Sequence, residues 1–79
     1  MSIPTEKKDQ AIYHTILADM HRLRGVILNL QTIESGDTEQ SLREHFGREQ
    51  TILTGKLSEW RGHRPKIFTE AEADFRDQI

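Results

Sequence analysis

The stretch Ile12-Tyr13-His14-Thr15-Ile16-Leu17-Ala18-Asp19-Met20-His21-Arg22-Leu23-Arg24-Gly25-Val26-Ile27-Leu28-Asn29-Leu30 decides the fold. Tyr13, Ile16, Met20, Leu23, Ile27 and Leu30 recur at steps of 3, 4, 3, 4 and 3, the heptad spacing of a helix with one apolar seam. Ile12, Val26 and Ile33 flank the seam on one side, in a row that Asp19 interrupts. Leu17 and Leu28 flank it on the other. The stripe is therefore broad, and a broad stripe needs cover from more than one neighbouring helix. Asp19 and Arg22, at i,i+3, are expected to pair along its solvated margin. Gly25 costs about 1 kcal/mol against alanine without ending the helix. Pro4 suits a first helical position, with Ser2 or Thr5 as a nearby cap. A helix is thus predicted over about 5–33, a rod of roughly 43 Å.

Outward from this rod, Glu34-Ser35-Gly36-Asp37 breaks the pattern. Gly36 fits a left-handed C-cap, and Asp37 a following N-cap with Gln40 three residues on. So short a turn returns the next helix antiparallel to the first. That second helix is predicted over about 38–61, with Leu42, Phe46, Leu53, Leu57 and Trp60 on one face and Ile52 to the side. Gly47 and Gly55 each cost about 1 kcal/mol there. With Thr51 between them they form a small-residue row roughly opposite the apolar face. Such a row admits another backbone closely, or marks loose, exposed positions. Gly62-His63-Arg64-Pro65 then ends the helix. A short third helix is predicted over about 70–78, with Thr69 as cap, Glu72 closing a capping box and Phe68 stapled onto Ala73. Ala71, Phe75 and Ile79 give it an apolar edge for docking on the hairpin or on a partner. Glu70, Glu72, Asp74 and Asp77 read as its solvated face.

The fold class is therefore all-α: a long antiparallel helical hairpin plus a short C-terminal helix, one domain over 1–79. A chain of 79 residues buries only about 60% of the surface its unfolded form exposes. Without cysteine it has neither disulfides nor thiolate metal sites to support the core. The first helix carries more apolar positions than the second can cover, and each buried large side chain contributes about 1.5–3 kcal/mol. The expectation is self-association, two hairpins forming a four-helix-bundle homodimer. The alternative is a three-helix monomer whose last helix covers the stripe.

Eleven Lys/Arg against thirteen Asp/Glu give a net charge of −2, which argues against a general nucleic-acid coat. Apolar runs as short as Val26-Ile27-Leu28 do not span a bilayer. The opening Met-Ser-Ile-Pro-Thr-Glu-Lys-Lys has no apolar signal-peptide core. A soluble, cytoplasmic protein with no membrane partner is the expectation.

The most chemically pointed segment is Trp60-Arg61-Gly62-His63-Arg64-Pro65-Lys66. Guanidinium groups grip phosphate in bidentate fashion, and an indole face stacks on a base. Arg61, His63, Arg64 and Lys66 are thus candidates for an anion, a nucleotide or a nucleic acid. Against this, a helix C-terminus favours cations through its dipole, and Trp60 is as suited to anchoring the core. His14 and His21 stand two turns apart, about 10 Å along the axis, too far to share one ion, so neither a metal nor a cofactor is expected. Gly55-Lys56 fails as a phosphate loop, because Gln50 stands where the first glycine belongs and Leu57 where Ser/Thr is needed. None of Ser2, Ser35, Ser41 and Ser58 sits in a nucleophile elbow. No catalytic residue is assigned, and no motif names a family. The reading is a small non-enzymatic interaction protein — an adaptor, inhibitor or regulator — that binds a protein partner through a helix face. Its candidate surface is Gly47, Thr51, Gly55 and Trp60 with the exposed part of the first-helix stripe. Anion binding by segment 60–66 is the alternative.

Overall fold

A computed structural model of the chain describes residues 6–32 and 39–79. They form three helices, α1 (Lys7–Thr32), α2 (Glu39–His63) and α3 (Pro65–Gln78), and no strand occurs among the described residues. The expected caps at Ser2, Pro4 and Thr5, the flanking Ile33 and the turn at Gly36 and Asp37 lie outside the described residues.

The heptad seam of α1 works as its spacing requires, but only over part of its length. Tyr13, Ile16 and Met20 are buried together with Leu57 of α2 and Ala71 of α3. Arg22 reaches Glu49 at 3.1 Å. Later residues of α2 thus meet earlier residues of α1, as in an antiparallel hairpin. The same bridge corrects the expected Asp19–Arg22 pair. Arg22 is committed across to α2, and Asp19 is buried with its Oδ2 lacking any hydrogen-bond partner. Its row holds Val26, which is also buried. The flank that was read as a wet margin is therefore an interface.

The joint between α2 and α3 is tighter than the sequence predicts. α2 runs through Gly62 to His63, and Arg64 alone is non-helical before α3 begins at Pro65. Proline fixes its own φ near the helical value and lacks the N–H that a first helical position would leave unused. It also pushes the preceding residue out of the α region. Arg64 accordingly sits at φ −136°, ψ 64°. Gly62 adopts no left-handed conformation, so the break belongs to Arg64-Pro65 and not to the glycine. The Arg64 N–H still donates to the Trp60 carbonyl at 2.7 Å, and the Phe68 N–H donates to the Arg64 carbonyl at 2.9 Å. Thr69 lies inside α3 and is not its cap; its hydroxyl donates to the Pro65 carbonyl at 2.8 Å.

α3 docks on α1 and runs in the same general direction. The Tyr13 hydroxyl donates to Asp74, and farther along, His21 Nε2 lies 2.6 Å from Gln78 Oε1 while its ring meets Phe75 edge-on. Asp74 is thus a buried anchor and not part of a solvated acidic face. At 1.5 Å per residue α1 is about 39 Å long and α3 about 21 Å. The third helix can therefore shelter only about half of the first. The molecule measures 49 × 23 × 17 Å, and its thinnest dimension is less than two helix diameters of about 10–12 Å.

Candidate functional site

The unsheltered half of the α1 seam forms the floor of an open apolar cleft of about 550 Å³. α1 packs against both other helices, whereas α2 and α3 touch each other least. The gap between them lies over Met20, Leu23 and Ile27 of α1. Leu57 forms one wall, and Phe68, Phe75 and Ile79 the other. The cleft is lined mostly by α1 and α3, with Leu57 as the contribution of α2. At the upper end Leu28 is 42% exposed and Ile79 62% exposed. Side chains of this kind are ordinarily withdrawn from water at about 25 cal/mol per Å² of apolar surface.

The charged side chains at the cleft are mostly cationic. Arg24 borders it from α1 and Arg76 from α3, with Glu72 on the α3 side held by Arg76 at 3.3 Å. A smaller crevice continues between α2 and α3 past Leu57 and Phe68 to Arg61. Three arginines and one glutamate therefore line the combined track, in a chain whose net charge is negative.

The residues singled out from the sequence fall in three places. Gly47, Thr51 and Gly55 lie along the outer side of α2. There Gly47, Arg48, Thr51 and Ile52 border a shallow depression, and Ile52 is 62% exposed. A Cβ placed on Gly47 or Gly55 meets nothing within 4 Å. Neither glycine is therefore required by packing within the chain. The Thr51 hydroxyl is turned back onto the Gly47 carbonyl at 3.0 Å. Trp60 is half-buried and packs against the core cluster, away from this row. Arg61, His63, Arg64 and Lys66 are all exposed around the joint between α2 and α3, where α3 has no side-chain cap. His14 and His21 are exposed, and His45 lies 3.8 Å from Glu49. No group of three or more potential metal-ligating side chains occurs among the described residues. No helix among them is long and apolar enough to cross a membrane.

Compared with known proteins, the chain matches no family model and has no significant match among curated proteins or solved structures. Its function has to be read from the physical chemistry of these surfaces.

Sequence reasoning found the surplus of apolar surface on the first helix but not the cleft into which it opens. The missing piece was the length of α3. Once Pro65 is taken as the first helical residue, Phe68 and Phe75 fall on one edge of α3, with Ile79 just past its end. Phe68, read as a staple outside the helix, becomes a wall of the cleft.

Proposed function

We propose that this chain is a small non-enzymatic interaction protein, an adaptor, inhibitor or regulator that acts by docking another macromolecule on a helix face. The observation that carries this reading is the half-open seam of α1, with Leu23 and Ile27 on the floor of the cleft and Leu28 and Ile79 exposed at its end. A small domain that leaves such side chains wet forgoes a sizeable part of its stability, and a partner recovers it. The test is affinity capture from the native cell with the wild-type chain and with Leu28→Lys as paired baits. A protein retained by the first and lost with the second is the expected result. No difference between the baits would remove the reading.

Self-association belongs to the same proposal, through the outer side of α2 and with a homodimer as its product. Helix-interior glycines at 47 and 55 reduce stability by about 1 kcal/mol each against alanine, and the chain's own packing gives no return for it. A second backbone approaching that row supplies a reason for them. Gly55→Leu should therefore leave helicity unchanged or raised, while the mass in light scattering falls from twice 9.2 kDa to the single-chain value. Equal mass for the two proteins would count against the dimer.

The exposed cations at the α2–α3 joint favour a second reading, binding of a nucleotide or RNA by Arg61, His63, Arg64 and Lys66. The start of α3, which has no side-chain cap, lies beside them. Affinity for single-stranded RNA should then fall steeply with added salt. Binding that persists unchanged in Arg61→Ala/Arg64→Ala would end this reading.

A further inference from the structure

From the charge at the rim of the cleft we infer that its occupant is an amphipathic helix with an apolar face and acidic edges, lying along the groove between α1 and α3. The inference rests on the interaction-protein reading above and adds the chemistry of the partner. The floor and walls are aliphatic and aromatic, and the cleft holds a row of side chains spaced as one helix face presents them. The edges of such a helix would run beside Arg24 on the α1 side and Arg76 on the α3 side. Its far end would run toward Arg61. Arg76 is 73% exposed at its side chain and already touches Glu72. Arg24 and Arg61 make no ion pair with the described residues. Carboxylates on the incoming helix would meet cations on both sides. Lysines there would meet like charge, which is penalised when two surfaces close on each other.

The same charges argue against a second copy of this chain in the cleft. Two clefts placed face to face about a two-fold axis would bring the arginine excess of both chains into one interface, with only one glutamate from each to offset it. A concave track between two helices also fits a convex helix better than the flat surface of an anionic bilayer.

The experiment uses the full chain and two labelled synthetic helices of about 15 residues. Both carry leucines at i, i+3, i+4 and i+7; one is edged with glutamate and the other with lysine. Fluorescence anisotropy should show the glutamate-edged helix binding about tenfold more tightly at low salt, with the gap closing as salt is added. Leu28→Lys should abolish binding, and Arg24→Glu/Arg76→Glu should reverse the preference. All three positions carry exposed side chains, and the wild-type comparison stands by itself should a variant fail to fold. Equal affinity for the two helices would overturn the acidic-edge assignment while leaving the cleft a docking site. Binding of neither would overturn the inference and remove the support that the cleft gives to the interaction reading. Binding undiminished in Leu28→Lys would place the site elsewhere. Binding of anionic vesicles in place of the glutamate-edged helix would also overturn it. So would a doubled mass that Leu28→Lys abolishes, because the cleft would then hold a second copy.

Discussion

Replacing Ile16 by alanine should lower the unfolding free energy by about 2–5 kcal/mol. Ile16 is 0% exposed and sits where all three helices meet, against Tyr13, Met20, Leu57 and Ala71. Removing its outer carbons loses their transfer from water and leaves a hole that helices on three sides cannot close together. A domain of this size has roughly 4–12 kcal/mol in total, so the loss is a large share of it. The same substitution at Ile27, two seam positions above Met20, should cost only about 1 kcal/mol, because that side chain is half-buried and already borders open space. In urea titrations the midpoint should fall much further for Ile16→Ala than for Ile27→Ala, with the slope unchanged in both. Equal losses would mean that the seam is covered along its whole length, and the cleft would lose its physical basis.

That contrast also shows what the sequence makes legible. Heptad spacing fixes α1 and its seam because each buried position there answers to one local rule, 3.6 residues per turn. The return of α2 follows from the break after residue 33 and from a second apolar row ending at Leu57 and Trp60. What periodicity does not carry is how far each neighbour reaches. Asp19 and Asp74 look like surface residues in a linear reading, yet both are buried, one in the α1 flank and one beneath Tyr13. For Asp74 a partner far along the chain decides the case. Thr69 fits the chemistry of a cap as well as any residue in the chain, but Pro65 is an earlier and stiffer start. The helix that results is long enough to bring Asp74 over Tyr13 and Gln78 over His21. The candidate row at Gly47, Thr51 and Gly55 was visible as spacing. That its glycines meet no atom of their own chain was visible only in three dimensions.

Tyr13→Phe should cost about 1.5–3 kcal/mol, because it removes the hydroxyl that donates to the buried Asp74 carboxylate and leaves that carboxylate without its donor. Tyr13 is 2% exposed and Asp74 4%, so water has little access to replace the lost bond. The double variant Tyr13→Phe/Asp74→Leu should be less destabilised than the sum of the single changes, since it removes both polar groups together. A pH experiment tests the same contact independently. Burial, then the hydrogen bond to Asp74, then the charges of Asp74 and Glu70 push the Tyr13 phenol up from 10.0 to about 12. The folded chain therefore holds this proton more tightly than the unfolded chain does. The stability it contributes is complete below pH 10 and is lost as the pH rises through about 12. Tyr13 is the only tyrosine, so phenolate absorbance reports on it alone. In the wild type that absorbance should rise together with loss of helicity, and in Asp74→Asn it should begin at lower pH. Ordinary titration near pH 10 with the helices intact would rule the contact out. Because this bond ties α3 to α1 across the core, its loss should also loosen the wall that carries Phe75 and Ile79. Tyr13→Phe should then weaken binding of the glutamate-edged helix, although Tyr13 itself does not line the cleft.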